Sequence, residues 1–374
     1  MKCKLLAATM LAATTFGVGC TTQSNNTLIP AGLGDKCGYI NETGNWVINP
    51  QFDNAWTFAE NGLARVKLND KCGYIDKSGK WIITPQFNWI YNFAENGLAR
   101  VELNGKCGYI DKTGNWVINP QFDDADSFAE NGLALVKLNG EYGFIDKTGN
   151  WVINPQFYEA SEFKNDLARI KRSGKWGYID KTGKWIINPQ FNDAYDFDEN
   201  GLACVELNGI WGFIDKTGNW AIKPQFDWIY EFNENGLARV KLNGKWGYID
   251  KTGKWVINPQ FDDVEFAEDF ENGLAPVILN GKCGYIDKTG NWVINPQFSD
   301  AWEFGENGLA PAQLYGKYGI IDKTGKWVIT PQFDDVQTDK NAILFLKDGK
   351  WGIVDKNGNI VAEPQFDWVF YKNF

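Results

Sequence analysis

The chain has 374 residues, carries a formal net charge of −10 and contains no histidine. The absence of histidine excludes Ser-His-Asp and Cys-His catalysis and histidine metal ligands. The acidic balance, with lysines spread evenly along the chain, argues against a nucleic-acid-binding protein, because phosphate contacts require a basic surface.

The first 19 residues have the composition of a sorting sequence. Lys2 and Lys4 precede an apolar run that ends in small residues, so we expect residues 1–19 to be removed as a signal peptide. Small residues leading to Cys20 resemble the lipobox of bacterial lipoproteins, which implies lipidation of Cys20; plain secretion is the alternative. Residues 20–27 are polar and predict a flexible tether. In the lipoprotein family, Thr21 after the lipidated cysteine implies the outer membrane.

Residues 28–374 consist of ten copies of one pattern with a period of about 35 residues. A period in this range predicts a modular array rather than one large core. Each copy contains a glycine preceded by Cys, Tyr or Trp, at Cys37-Gly38, Cys72-Gly73, Cys107-Gly108, Tyr142-Gly143, Trp176-Gly177, Trp211-Gly212, Trp246-Gly247, Cys283-Gly284, Tyr318-Gly319 and Trp351-Gly352.

One copy predicts a three-stranded antiparallel meander. Residues 237–242 alternate as a strand, Asn243-Gly244 is typical of a tight hairpin turn, and residues 246–250 form the second strand. A second turn around Gly253 leads to a third strand, which we expect to end before Pro259 because proline lacks a ladder donor. A polar connector then leads to the next copy.

A single meander cannot bury enough apolar area to fold alone, so neighbouring copies must stabilise one another. The third strand carries a tryptophan in nine copies, which predicts a continuous apolar seam. The nine residues are Trp46, Trp81, Trp116, Trp151, Trp185, Trp220, Trp255, Trp292 and Trp327.

The two ends of the array favour an open architecture. Residues 28–33 align with residues 274–279 as a complete first strand, and the last copy ends after its own third strand. Because neither end supplies a strand to the other in this alignment, we predict an all-β, open β-solenoid of ten three-stranded units. A closed propeller-like toroid is the alternative.

The motif Gly-Lys-Trp-Gly-Tyr-Ile-Asp-Lys-Thr-Gly-Lys-Trp at 174–185, followed by Pro189-Gln190-Phe191, resembles the WG-repeat (KWG-repeat) family of bacterial proteins. The resemblance covers the chain from about residue 28. It implies binding or interaction modules, often on secreted or envelope proteins.

Repeated charged residues indicate turns rather than chemistry. The Asp-Lys pairs, such as Asp111-Lys112, recur in nearly every copy, and aspartate supports turns by bonding nearby backbone. The cluster at Asp123, Asp124 and Asp126 lacks the spacing of a calcium loop. We therefore predict no catalytic residues, no metal site and no cofactor.

Cysteines fill structural positions in the pattern. Cys37, Cys72, Cys107 and Cys283 occupy the place of Trp or Tyr in sister copies, which predicts buried thiols. Disulfides among them remain an alternative in an oxidising compartment. Cys204 stands where sister copies have arginine.

The connectors hold the most variable aromatic residues, which we interpret as a candidate binding surface. The alternative is that these rings pack on the adjacent copy. The candidate residues are Trp56, Trp89, Tyr91, Tyr195, Trp228, Tyr230, Trp302 and Trp368.

Three functional hypotheses follow. The first is a non-catalytic envelope lipoprotein, anchored by lipid only, that acts as a protein-protein interaction scaffold for another envelope protein. The second is a glycan or peptidoglycan-binding module that stacks sugars on the same aromatic residues. The third, less favoured, is a carboxylate-based envelope hydrolase.

Overall fold

The fold is a closed β-propeller of ten blades, seen in a computed structural model that describes residues 27–263, 270, 272–338, 342–355 and 357–369. The predicted signal peptide, Cys20 and most of the tether lie outside the described residues. Within the described part, no helix has the length and apolar character needed to cross a membrane.

Successive blades are built from strands in chain order. Blade 1 holds β1 (Ile29–Leu33), β2 (Lys36–Ile40) and β3 (Trp46–Phe52); blade 2, β4 (Asn54–Ala55), β5 (Leu63–Leu68), β6 (Lys71–Asp76) and β7 (Trp81–Phe87); blade 3, β8 (Trp89–Phe93), β9 (Ala99–Leu103), β10 (Lys106–Ile110) and β11 (Trp116–Phe122); blade 4, β12 (Asp124–Ala125), β13 (Leu133–Leu138), β14 (Glu141–Asp146) and β15 (Trp151–Phe157); blade 5, β16 (Glu159–Ala160), β17 (Ala168–Arg172), β18 (Lys175–Ile179) and β19 (Trp185–Phe191).

Blade 6 holds β20 (Asp193–Ala194), β21 (Leu202–Leu207), β22 (Ile210–Asp215) and β23 (Trp220–Phe226); blade 7, β24 (Trp228–Ile229), β25 (Leu237–Leu242), β26 (Lys245–Asp250) and β27 (Trp255–Phe261); blade 8, β28 (Leu274–Leu279), β29 (Lys282–Asp287) and β30 (Trp292–Phe298); blade 9, β31 (Asp300–Ala301), β32 (Leu309–Leu314), β33 (Lys317–Asp322) and β34 (Trp327–Phe333); blade 10, β35 (Asp335–Thr338), β36 (Ala342–Lys347), β37 (Lys350–Asp355) and β38 (Ile360–Phe366), followed by β39 (Trp368–Val369).

The predicted three-stranded meander is present in every blade, and the connector adds a short fourth strand to most of them. In blade 6, for example, β20 pairs with β21 through Asp193↔Glu206 and Ala194↔Val205. Within the described residues, blade 8 has three strands and an isolated bridge between Asp263 and Ile278. The unit is therefore a four-stranded blade, and the connector is part of the sheet.

The open solenoid was the wrong choice, and the closed toroid is the architecture observed. The C-terminal strand β39 pairs with β1 through Ala31↔Val369 and Gly32↔Trp368, and so completes the first blade. The backbone N–H of Asp367 also donates to the carbonyl of Gly32 at 3.1 Å. The terminal copies consequently act as partners in ring closure, not as caps, because pairing removes the open edges of both.

Each third strand runs through its proline instead of ending before it. In blade 7, Tyr248 pairs with Ile257 and Trp246 with Phe261, so the register shifts by two residues around Pro259. A bulge at this point accommodates a residue that cannot donate to the ladder. The bulge also explains the repeated glycine: a Cβ on Gly247 would lie 2.5 Å from the carbonyl oxygen of Ile257.

Ten apolar clusters form the core, one at each contact between neighbouring blades. The third-strand tryptophans are half-buried, and eight of the nine pack edge-on against a buried phenylalanine of the preceding blade, as Trp255 does on Phe226 at 5.9 Å. The closing contact has the same form, with Trp46 5.8 Å from Phe366. The predicted seam therefore exists and includes the closing contact, while Ile360, which is 39% exposed, replaces the tryptophan in blade 10.

The cysteine positions are buried as predicted. Cys37, Cys72, Cys107 and Cys204 are free buried thiols, and Cys283 is buried with its Sγ 3.9 Å from the carbonyl oxygen of Ala301. Burial raises the pKa of the Cys37 thiol to about 12, chiefly because the thiolate would lose its hydration.

Candidate functional site

The aspartates of the Asp-Lys turns are structural. The carboxylate of Asp111 accepts hydrogen bonds from the Thr113 backbone N–H at 2.9 Å, the Thr113 hydroxyl at 2.6 Å and the Asn115 backbone N–H at 3.0 Å. These bonds, led by that from the Thr113 hydroxyl, lower the pKa of Asp111. Asn41 makes the equivalent bonds to Thr43 in blade 1, so the turn requires an acceptor oxygen and no catalytic charge.

The acidic cluster of blade 4 is occupied by cations of blade 3. Lys106 pairs with Asp123 at 2.6 Å, while Arg100 contacts Asp124 at 3.3 Å and Asp126 at 3.5 Å. Across the described residues, no group of three or more Cys, Asp and Glu side chains is placed to hold a metal ion. These carboxylates join blades.

The variable connector position lies in the fourth strand or directly after it, and we call its residues the connector row. Its described members are Trp56, Tyr91, Asp126, Ser161, Tyr195, Tyr230, Trp302 and Gln337. At five members of the row the backbone carbonyl accepts a hydrogen bond from a buried tyrosine of the preceding blade, whereas Phe144 and Phe213 occupy the tyrosine position before Ser161 and Tyr230. The Tyr109 hydroxyl donates to the carbonyl oxygen of Asp126 at 2.6 Å, and Tyr178 does the same to Tyr195 at 2.6 Å. A rigid backbone thus carries a side chain that differs from blade to blade.

Sequence reasoning missed these positioning tyrosines. They lie in the second strand, two residues after the Cys, Tyr or Trp that precedes the repeated glycine, and six of them are essentially fully buried. Their hydroxyls reach a polar partner across the blade contact, as buried tyrosines generally require. Their recurrence at one strand position was the available signal. The recurrence indicated an apolar residue, but it did not indicate the hydrogen-bond partner of the hydroxyl, which lies 17 residues away in the chain.

The structure brings the candidate aromatic residues into separate groups. Trp89 lies 5.4 Å from Trp56 and 6.5 Å from Tyr91, measured between ring centroids. Trp211 joins Tyr195 and Trp228, at 5.6 and 5.2 Å. Asp126 and Ser161 interrupt the row between these two groups.

The remaining three aromatic candidates lie outside these groups of rings. Tyr230 stacks on Trp246 at 5.6 Å, and Trp302 lies 6.4 Å from Tyr318. Trp368, in the closing strand β39, is half-buried against the apolar cluster between blades 1 and 2. The aromatic surface is therefore divided among several blades.

The candidate aromatic rings are partly packed and partly exposed. The rings pack on their own or a neighbouring blade, yet several keep more than a third of their surface exposed, up to 44% for Tyr230. Arginines of the first strand lie against some of them: Arg100 is 4.0 Å from the Tyr91 ring and Arg239 is 4.3 Å from the Tyr230 ring. Such rings present an open face or edge on a fixed support.

Arginines of the first strand also connect blades 2 and 5 to the blades that follow them. Arg65 in blade 2 donates to the carbonyl oxygen of Ile90 in blade 3 at 3.2 Å. Arg169 in blade 5 donates from Nε to Asp196 in blade 6 at 2.6 Å, and from Nη1 to the carbonyl oxygen of Ala194. Arginine suits this position because its planar fork serves two acceptors at once.

A groove of about 820 Å³ lies among blades 5, 6 and 7, beside Cys204, which occupies the first-strand position of the arginines. Its lining includes Lys164, Tyr195, Cys204, Tyr230 and Glu231. Burial raises the pKa of Glu231, with Lys164 opposing the shift. The groove thus combines exposed aromatic rings with a partly desolvated carboxylate.

Comparisons with known proteins agree with the repeat pattern. The family model described as "WG containing repeat" matches ten segments, at residues 38–72, 73–107, 108–142, 142–176, 176–209, 211–246, 246–283, 284–318, 318–351 and 351–374. None of the curated proteins matches this chain.

Similarity to solved structures concerns the fold alone. A crystal structure of the eukaryotic initiation factor is 12% identical, with a TM-score of 0.53, and the match covers 93% of this chain and 98% of that chain. The structure of apo AztD from Citrobacter koseri is 9% identical, with a TM-score of 0.36, over 92% of this chain and 96% of that chain. On the strength of ten family matches in phase, this chain belongs to the WG containing repeat family.

Proposed function

We propose that this protein is a non-catalytic interaction scaffold of the bacterial cell envelope, anchored by a lipid on Cys20. The observation that supports it best is the connector row, in which different side chains occupy one fixed backbone position around the ring. Half-exposed tryptophan and tyrosine rings are the residues that most often dominate protein-protein interfaces. The partner is another envelope protein, and the face that meets it contains Trp56, Trp89 and Tyr91.

Cross-linking of the intact protein in its native envelope, followed by mass spectrometry of the joined peptides, tests this proposal. We expect adducts concentrated on connector peptides that contain Trp56, Tyr91, Tyr195 or Trp302. The double substitution Trp56→Ala and Trp302→Ala should abolish them while the protein remains folded. Tyr158→Ala is the matched control, because Tyr158 is 76% exposed and lies outside the connector row. Recovery of the monomer alone would refute the proposal.

Binding to glycan or peptidoglycan is the second candidate function. It is favoured by Trp302, which is 36% exposed and donates from Nε1 to Asp300 at 3.4 Å, so that a ring face lies beside a carboxylate. Sugars stack on such rings while acidic groups accept from their hydroxyls. Sedimentation with purified wall material measures this binding directly, and the same double substitution should abolish it. No association with wall material would dismiss this candidate.

The lipid anchor and the location have their own test. Metabolic labelling with a fatty-acid analogue should mark the protein, and Cys20→Ser should remove the label and release the protein from the membrane fraction. Separation of inner and outer membranes should place it in the outer membrane. A label that persists in the Cys20→Ser variant would contradict the anchor.

A further inference from the structure

The groove among blades 5, 6 and 7 lies beside a first-strand position that is arginine in four of the ten blades and cysteine in blade 6. Blades 2, 3, 5 and 7 carry arginine in the first strand, at Arg65, Arg100, Arg169 and Arg239, opposite the second-strand residue that follows the repeated glycine. Blade 6 carries Cys204 at the same register, paired with Phe213. Cys204 belongs to the apolar cluster that includes Ile229 and Phe232 of blade 7, but its side chain is several atoms shorter than arginine and carries no guanidinium to donate to blade 7.

The acceptors that an arginine would use are still present in blade 7. At the filled contact, Arg169 binds Asp196 and the carbonyl oxygen of Ala194. The pairs Ala194↔Val205 and Ile229↔Val240 place Ile229 and Glu231 at the equivalent positions one blade later. Both residues line the groove beside Cys204.

Glu231 has no cation in contact with it. Among the described residues, no ion pair within 4.0 Å includes Glu231, whereas the equivalent Asp196 is 2.6 Å from Arg169. A carboxylate that is partly removed from water and lacks a cation is destabilised relative to a paired one. The groove lining also contains four carboxylates, at positions 198, 199, 231 and 234, against two cations, Lys164 and Arg239. Its charge therefore favours a cationic ligand.

Aromatic rings flank the same space. Tyr195 and Tyr230 line the groove and are 37% and 44% exposed. A guanidinium group is planar and weakly hydrated, so it stacks on such rings while donating to a carboxylate. The filled sites show the same combination, since Arg100 lies 4.0 Å from the Tyr91 ring and contacts Asp126 at 3.5 Å.

We propose that the groove at Cys204 and Glu231 binds an arginine side chain of a partner protein, in the place that Arg169 fills at the preceding blade contact. The guanidinium donates to Glu231 and to the carbonyl oxygen of Ile229, and lies against the ring of Tyr195 as Arg100 lies against Tyr91. This proposal rests on the scaffold function and specifies the chemistry of its partner.

The test uses the full chain and the peptide acetyl-Gly-Arg-Gly-amide labelled with ¹³C at the guanidinium carbon. Chemical-shift titration by NMR should show saturable binding. The citrulline peptide, which has the same shape without the charge, should bind at least tenfold more weakly. Glu231→Gln should weaken binding at least tenfold, and Cys204→Arg should abolish it because the new side chain fills the groove.

Two variants serve as controls. Cys204→Ser removes the thiol but leaves the space, and Asp196→Asn alters the filled contact, so both should bind the arginine peptide within twofold of the parent protein. Cys204→Arg should also raise the urea midpoint of unfolding, because it supplies a cation to Glu231. Equal binding of the citrulline peptide, unchanged binding by Glu231→Gln or Cys204→Arg, or no saturable binding by the parent protein would overturn the proposal.

The outcomes separate this proposal from the scaffold function. If envelope cross-links persist in Glu231→Gln and are lost only with Trp56→Ala and Trp302→Ala, the protein is a scaffold whose partner does not use the groove. If the arginine peptide binds as expected but no envelope protein is cross-linked, the groove is an arginine site and the scaffold function is wrong.

Discussion

Substitution of Phe366 by alanine tests the closure of the ring. Phe366 belongs to the last blade, is 1% exposed and packs edge-on to Trp46 of the first blade at 5.8 Å. Loss of a buried phenylalanine costs about 3–5 kcal/mol through lost transfer energy and the remaining cavity. An edge-to-face aromatic pair adds about 0.5–1.5 kcal/mol, which appears as coupling in a double-mutant cycle.

The assay is urea unfolding followed by far-UV circular dichroism, applied to Phe366→Ala, Trp46→Ala and the double variant. The matched control is the internal pair Phe52 and Trp81, whose rings are 5.7 Å apart at an interplanar angle of 88°. In a closed ring, both pairs should give coupling of about 1 kcal/mol. Coupling near zero for Phe366 and Trp46, with normal coupling for the control pair, would refute closure, since the two residues would then belong to opposite free ends.

Three further predictions concern local chemistry. Gly108→Ala should lower the free energy of unfolding by about 1–3 kcal/mol, because the added Cβ would lie 2.6 Å from the carbonyl oxygen of Ile118. An unchanged urea midpoint would contradict this prediction and show that the bulge can move. The turn carboxylates have a lowered pKa when folded, so their contribution to stability is complete above the unfolded pKa of about 3.9 and is lost as the pH falls through the folded pKa. Asp111→Asn should therefore keep the turn, and its free energy of unfolding should fall less between neutral pH and pH 3 than that of the parent protein. An equally steep fall in the variant and the parent protein would contradict this. The Cys37 thiol, with a pKa raised to about 12, should react with a disulfide reagent at pH 8 only after unfolding, and rapid labelling of the native protein would count against its burial.

The local architecture follows from short stretches of the sequence. Hairpin turns, alternating strands and the aspartate turns depend on neighbouring residues, so the motif around Asn243-Gly244 and the bonds of Asp111 follow from short-range physics. Ten copies in phase also predicted that stability would come from contact between copies.

The tertiary structure alone decided whether the array closes. The closing strand has only two residues, Trp368–Val369, which is too short to produce a recognisable alternation. Closure depends on the angle between blades accumulated over the whole ring, and no single copy encodes that sum. The sequence therefore favoured an open array, although pairing of β39 with β1 removes both free edges.

The candidate site was predictable only in composition. The sequence identified variable aromatic residues, but it could not show that Arg169 reaches Asp196, 27 residues away in the next blade. Cys204 looked like an ordinary replacement in one strand. The folded chain places Cys204 and Glu231 in the lining of one groove. A side chain shorter than arginine leaves space at this contact between blades, and the spacing of residues along the sequence does not reveal that contact.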